Sequence, residues 1–138
     1  MTHWLYSANV KFYDVFSAFK VKDAVWPINT KVEVGDTVYI YLSSPHKKIG
    51  FITTVKRISL PNDEIRLRTS PYIKNSVNDK STDKAFMLLG DIKPLFSSVG
   101  ESLSFENLRL NGLTGMLMGP RKLDNNPELL QYIKVCCT

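Results

Sequence analysis

The stretch "VWPINTKVEVGDTVYIYLSS", residues 25–44, carries the strongest strand signal in the chain. Pro27 disfavours a helix in the residue before it and favours an extended backbone there. Gly35 and Asp36 supply a turn, and the residues that follow alternate between aliphatic and tyrosine or serine side chains. Because successive side chains of a strand point to opposite faces, residues 37–44 are predicted to place aliphatic residues on one face and tyrosines on the other.

Further strands and a helix are predicted on both sides of this stretch. Residues 3–10 alternate as a first strand, in which Trp4 is assigned to the core, and apolar residues at helical spacing predict a short helix over residues 11–20. After the break "SSPHKK", residues 49–60 form a long strand, and residues 64–69 form another beyond the turn "PND". Such short connections predict an antiparallel meander, which suits a small barrel or a strongly curved sheet.

The second half of the chain begins with a long polar segment. Residues 70–84 are too many for a hairpin turn and are predicted to form a surface loop. Residues 85–96 return as an apolar strand interrupted near Gly90. Since no repeat or linker divides the chain, the sequence predicts one α+β domain over residues 1–138. Its expected architecture is a small curved, antiparallel or mixed β-barrel flanked by short helices.

Two helices in the last third of the chain carry capping signals. Ser104 is positioned to cap a helix that stops at Gly112. Asn126 caps another, with a proline at its first position, where a missing N–H costs nothing. The adjacent Cys136 and Cys137 are predicted to belong to a frayed end in a reducing compartment, because neighbouring cysteines rarely form an unstrained disulfide.

Composition favours a folded, basic protein with a polyanionic partner. Apolar residues make up 43% of the 138 positions and charged residues 22%, which argues against disorder. The 18 Lys and Arg residues outnumber the 13 Asp and Glu residues, which gives a formal net charge of +5. The first ten residues lack the pattern of a signal peptide, and no apolar run is long enough to span a membrane, so a cytoplasmic location is expected.

No motif in the sequence predicts catalysis or metal binding. The chain has no Gly-rich phosphate loop, no nucleophile elbow and no HExxH pair. Asp63 and Glu64 are adjacent in a predicted turn, whereas a metal-dependent nuclease needs carboxylates on separate strands. His3 and His46 have no ligand cluster of recognisable spacing around them. We therefore expect no metal, no cofactor and no enzymatic activity.

The order of several segments matches a known family. These are "HWLYSAN", a helix, an aromatic-Pro segment, "VGDTVYIYLSSP", "IGFITTV", "FMLLGDIKPL" and the C-terminal "LRLNGLTGMLMGPRKLDNNPELLQYI". In this order they resemble the EVE domain, a member of the PUA-like superfamily that includes the YTH readers. The resemblance implies a reader of a modified, flipped base in nucleic acid, with DNA favoured over RNA and a nuclease acting in trans as a partner. Methylated cytosine and adenine are the bases that it suggests.

The resemblance also implies an aromatic pocket. The cage tryptophan of YTH-like readers matches Trp26, and the polar end of their first strand matches Ser7 and Asn9. The remaining candidates to line or edge the pocket are Tyr39, Tyr41, Ser43, Ser44 and, in place of a missing later tryptophan, Tyr72. Each has a structural alternative: Trp26 as a core residue, the tyrosines as a sheet face under a helix, and the polar residues as local caps.

Four basic residues are expected to contact the nucleic-acid backbone beside that pocket. They are Lys47, Lys48, Arg121 and Lys122. Such contacts would make affinity strongly salt-dependent, whereas the alternative is ordinary solvation of exposed lysines. Two other functions stay open at this point: a PUA-like module that binds modified or unmodified RNA, and a PUA-like ribonuclease.

Overall fold

The computed structural model describes residues 2–8, 24–27, 31–43, 46–58, 86–95, 100–115 and 120–137. Its strands are β1 (His3–Ala8), β2 (Ala24–Pro27), β3 (Thr37–Leu42), β4 (Lys48–Ile58), β5 (Phe86–Pro94) and β6 (Arg121–Lys122). Its helices are α1 (Phe105–Leu110) and α2 (Pro127–Cys136), each preceded by a 3₁₀ turn, over Gly100–Leu103 and Leu123–Asn125 respectively. The helix predicted over residues 11–20, the strand over 64–69 and the loop over 70–84 lie outside the described residues.

The strands form one mixed sheet in the order β2-β5-β4-β3-β1-β6. β3 and β4 pair antiparallel, as the meander predicts, and β5 is the other neighbour of β4. The other neighbour of β3 is β1, which runs parallel to it, from the pair His3–Thr37 to the pair Ala8–Leu42. A parallel pair needs a long crossover, so local turn signals could not predict it. The described sheet is therefore mixed rather than a meander.

The described strands form an open sheet, and closure into a barrel is not among their pairings, which end at β2 and β6. Bulges bend the sheet where the register shifts between Ile40 and Tyr41 in β3 and at two places along β4. The predicted break near Gly90 is one of these irregularities. β5 continues through it, and Asp91 takes a left-handed backbone with φ of 49°.

Apolar side chains are buried on both faces of the sheet. One face, called here the inner face, includes Trp4, Tyr6, Trp26, Val38, Ile40, Met87 and Leu89. The opposite face, called the helical face, packs Leu5, Tyr39, Tyr41 and Ile49 against apolar residues of the 3₁₀ turns, α1 and α2, such as Leu103, Leu108, Leu129 and Ile133. Alternation along β3 was expected to leave the tyrosines beside a pocket. Five of the six residues of β3 are instead buried, so neither face is open to solvent there.

The helix ends confirm the capping predictions. The hydroxyl of Ser104 accepts a hydrogen bond from the backbone N–H of Asn107, and Asn126 Oδ1 accepts one from the N–H of Leu129. The frayed end predicted for the cysteines is wrong: Cys136 lies in the last turn of α2, and the N–H of Cys137 donates to the carbonyl of Ile133 at 3.1 Å. Both thiols are free, half-buried and packed against the helical face.

Asp36 joins the start of β1 to the turn before β3. Its buried carboxylate accepts hydrogen bonds from the N–H of Thr2 at 3.0 Å, the N–H of Glu33 at 2.9 Å and the indole N–H of Trp4 at 3.0 Å. Burial acts to raise the pKa of Asp36, but these hydrogen bonds favour the charged form and hold the pKa below its usual value. The adjacent Gly35 has φ of 97°, which glycine adopts without steric cost.

Candidate nucleic-acid interface

One end of the sheet collects several of the predicted site residues. β1 and β3 are parallel, so their carboxyl ends meet there, and the N–H of Ser43 donates to the carbonyl of Ala8 at 3.1 Å. Ser7 pairs with Tyr41 one residue earlier along the ladder, and both serines are half-buried. The turn that follows β3 leads to Lys47 and to the first residue of β4. The structure therefore brings the serines at the strand ends and the lysines of the turn to the same end of the sheet.

The backbone around Lys47 is fixed by hydrogen bonds on both sides. Its N–H donates to the carbonyl of Ser43 at 3.4 Å, and its carbonyl accepts from the N–H of Phe105, the first residue of α1, at 2.8 Å. Lys47 has φ of 49°, a left-handed conformation that is uncommon for a residue with a side chain. The side chain is exposed, and none of the described residues forms an ion pair with it. A strained turn thus presents a charge to solvent.

Helix α1 places a third cation and an aromatic ring beside this turn. Ser104 and Lys48 form an isolated β-bridge, which ties the start of the helix to the start of β4. The guanidinium carbon of Arg109 lies 5.8 Å from the centre of the Phe105 ring, within the range of a cation–π contact. We call the group of Lys47, Lys48, Phe105 and Arg109 the loop–helix patch. Sequence reasoning missed its two helical members, although their i, i+4 spacing in a predicted helix was available.

The predicted pocket tyrosines lie in the core of the helical face. Tyr39 is 3% exposed and Tyr41 is 7% exposed. Burial, with a contribution from the Cys137 thiol, raises the pKa of Tyr39 to about 12, and burial also raises the pKa of Tyr41. The Tyr41 ring meets the Phe105 ring edge-on, with 6.3 Å between their centres. This placement matches the structural alternative, a tyrosine face under helices.

Trp26 is far from the strand-end serines and the turn lysines. It pairs with Met87, which pairs with Ile58 at the last position of β4, whereas Lys48 is the first residue of that 11-residue strand. An extended strand of this length spans roughly 30 Å. Trp26 is also 7% exposed and belongs to the inner face, opposite the tyrosines. The structure therefore does not bring Trp26 together with Tyr39 and Tyr41.

The two basic residues near the C-terminus lie on the edge strand β6. Arg121 pairs with Leu5 and Lys122 with Trp4, in the middle of β1. The guanidinium of Arg121 donates to the carbonyl of Thr114 at 2.5 Å and is half-buried, while the Lys122 side chain is exposed. Two strands, β1 and β3, separate them from Lys48. The remaining predicted pocket residues, Asn9, Ser44 and Tyr72, lie outside the described residues.

The described elements form a small α+β domain, and solved structures of other proteins share its fold. ZmASCH from Zymomonas mobilis, in the crystal structure of a variant, is similar with a TM-score of 0.64 over 98% of both chains, at 12% sequence identity. A protein from Pseudomonas putida gives a TM-score of 0.64 over 99% of both chains, at 15% identity. A hypothetical protein from Leishmania major gives 0.62 over 99% of this chain and 94% of its own, also at 15% identity.

These likenesses show the fold, which is that of ASCH proteins. The small α+β domain expected from the sequence is confirmed as to its fold, whereas nothing in the comparisons is specific to the EVE domain. The sequence matches no family model and no curated protein. In the portion of the chain that the structure describes, no helix is long and apolar enough to cross a membrane.

Proposed function

We propose that the protein binds nucleic acid, RNA in preference to DNA, at the loop–helix patch, and that it binds without cleaving its ligand. The observation that carries the proposal is the exposed Lys47, held in a left-handed turn beside Lys48 and Arg109. Three cations stand here against one acidic residue of α1, the exposed Glu106. Cations grouped on a rigid part of the fold bind backbone phosphates, because their binding releases counterions condensed on the nucleic acid.

The fold likeness supports RNA as the ligand. ASCH proteins have the PUA-like fold, and the PUA-like superfamily is one of RNA binders. DNA binding and a nuclease partner were inferred from the EVE resemblance alone. Within this proposal they are the less favoured alternatives, and a direct comparison of ligands decides between them.

Recognition of a modified base is the finer form of the same proposal. This form is supported by the positions of Ser7 and Ser43, which lie close together at the carboxyl ends of β1 and β3. Ser7 is paired there with Tyr41. Hydroxyl groups at the ends of strands can donate and accept hydrogen bonds with a base that is flipped out of its stack. Trp26 would have to leave the inner face to contribute a cage wall, so the serines rather than Trp26 carry this form of the proposal.

The test is a titration of the protein with matched single-stranded oligonucleotides. The set contains unmodified RNA, unmodified DNA and both backbones carrying 5-methylcytosine or N6-methyladenine. We expect RNA to bind more tightly than DNA of the same sequence, with affinity that falls steeply as salt rises, and the labelled RNA to stay intact during incubation. Tighter binding of DNA, cleavage of the RNA, or no salt-sensitive binding at all would contradict the proposal.

Trp26→Phe is the variant to run beside the wild type in this titration. Replacing a buried tryptophan by alanine costs about 3–5 kcal/mol of stability, so Trp26→Ala would confuse unfolding with loss of binding. The phenylalanine variant keeps most of the packing and an aromatic ring. If a preference for one modified base exists and survives in Trp26→Phe, the preference does not require the indole of Trp26, although the phenylalanine ring still offers a surface for stacking.

A further inference from the structure

We infer that Phe105 and Arg109 form a stacking platform for one unpaired base of the bound strand, next to the phosphate contacts of Lys47 and Lys48. This inference rests on the proposed function. It adds a site for a base to a patch that was identified by its charge. Neither of the two residues was among the positions that sequence reasoning selected.

The platform is built outward from the core in three layers. Tyr41 is fixed in β3, with 7% of its surface exposed, and its ring meets Phe105 edge-on at 6.3 Å. The Phe105 ring is half-buried against the helical face, and the guanidinium carbon of Arg109 lies 5.8 Å from its centre. Because Arg109 is exposed, its outer surface faces solvent at the outer end of these contacts.

The platform is held still by bonds to the backbone rather than by other charges. The N–H of Phe105 donates to the carbonyl of Lys47 at 2.8 Å, and Ser104 caps the helix. No ion pair joins Arg109 to any described residue, including its helical neighbour Glu106. A guanidinium that is oriented by a ring, and not by a carboxylate, keeps its donors available to a ligand.

The chemistry of the guanidinium suits an unpaired base. It is planar and weakly hydrated, so it stacks on aromatic faces and on nucleobases, whereas an ammonium is a strongly hydrated point charge. Unpaired bases in single-stranded RNA commonly stack on aromatic rings and on arginine planes. The short link between Phe105 and Lys47 places this plane next to the cations that would hold the neighbouring phosphates. The ligand assigned to this site is therefore a single-stranded segment rather than a duplex.

The test compares Arg109→Lys with Arg109→Ala and with the control Leu110→Ala, which changes an exposed neighbour on the same helix. Each protein is titrated with a short single-stranded RNA and with the same strand carrying one abasic ribose at successive positions. We expect Arg109→Lys to bind the intact strand about tenfold more weakly than wild type, since stacking of one base contributes about that factor. The salt dependence of Arg109→Lys should equal that of wild type. One abasic position should weaken binding to wild type, and the same position should not weaken binding to Arg109→Lys.

The outcomes separate the two proposals. If Arg109→Lys binds as wild type while Arg109→Ala lowers the slope of log affinity against log salt by about 0.7, Arg109 is a phosphate contact and the platform is overturned, although RNA binding stands. If the wild type itself binds no oligonucleotide, the proposed function fails and the platform fails with it. Circular dichroism and urea denaturation of each variant establish that a change in binding is not a change in folding.

Discussion

At the scale of single residues, Asp36 is a buried charged group that stabilises the fold. Its carboxylate is 4% exposed and accepts three hydrogen bonds, from Thr2, Glu33 and the Trp4 indole. Hydrogen bonds to a charged group contribute more than neutral ones, about 1.5–3 kcal/mol each. The carboxylate therefore fixes the start of β1 against the turn that begins β3.

We expect Asp36→Asn to lower the free energy of unfolding by about 2 kcal/mol, because the amide leaves at least one of the three donors without an acceptor. Urea denaturation followed by tryptophan fluorescence measures the loss. The matched control is Asp91→Asn, at an exposed residue that forms an ion pair with Lys56 and whose left-handed backbone asparagine also tolerates. That change should cost less than about 0.5 kcal/mol. Equal losses in the two variants would refute the account of Asp36.

The same carboxylate should make stability depend on pH in acid. The pKa of Asp36 is lower in the folded protein than its ordinary value of 3.8. The stability it contributes is therefore fully present above that value and is lost as the pH falls through the folded pKa. We expect the difference in unfolding free energy between wild type and Asp36→Asn to be constant from pH 7 to about 5 and to shrink below about 4. A difference that stays constant down to pH 2.5 would show that Asp36 does not titrate as described.

Residue by residue, the sequence predicted best those roles that depend on local chemistry. Ser104 and Asn126 act as caps, and Trp4 lies in the core, as their positions in the sequence indicate. The surroundings of Tyr39 and Tyr41 could not be predicted, because an alternating strand has the same sequence pattern whether its second face is covered by solvent or by helices. That face is covered by α1 and α2, which follow β3 by more than sixty residues in the chain.

At the scale of elements, Asn126 joins α2 to the turn that ends α1. Its Oδ1 accepts from the N–H of Leu129 at 3.3 Å, while its Nδ2 donates to the carbonyl of Gly112 at 2.8 Å. Gly112 has φ of 118°, and a Cβ there would lie 3.3 Å from Asn126 Oδ1. One side chain thus caps a helix and also anchors the preceding turn.

The two roles of Asn126 can be separated by substitution. Asn126→Ser keeps a capping oxygen and loses the bond to Gly112, so we expect it to cost about 1 kcal/mol. Asn126→Ala loses both bonds and should cost about 2 kcal/mol. Thermal and urea unfolding of the two variants give the comparison. If serine and alanine destabilise equally, the capping bond contributes nothing measurable and only the link to Gly112 matters.

Elements with local signals were predictable, and their long-range partners were not. The β3–β4 hairpin and both C-terminal helices follow from turn and capping residues. The parallel pairing of β1 with β3 joins residues more than thirty positions apart, and nothing local specifies it. The same pairing brings Ser7 and Ser43 together, so the position of the candidate interface at this end of the sheet could not be derived from the sequence alone.

At the scale of the whole molecule, three of the described basic residues are grouped at one end of the sheet. Lys47, Lys48 and Arg109 lie together where the carboxyl ends of β1 and β3 meet the start of α1, while Arg121 and Lys122 lie on the edge strand β6. The likeness to ZmASCH covers 98% of the chain. Ligand binding is therefore assigned to one end of the strands, and stability to the apolar side chains buried on the two faces of the sheet.

The salt dependence of RNA affinity distinguishes the loop–helix patch from other basic surfaces. The double variant Lys47→Ala/Lys48→Ala is compared with Lys31→Ala/Lys134→Ala, which removes the same charge from two exposed sites outside the patch. We predict that the patch variant lowers the slope of log affinity against log salt by about 1.4, since each phosphate contact on a single strand contributes about 0.7. The control should keep the wild-type slope. Equal slopes for the two double variants, whether changed or unchanged, would contradict the assignment of the interface to the loop–helix patch.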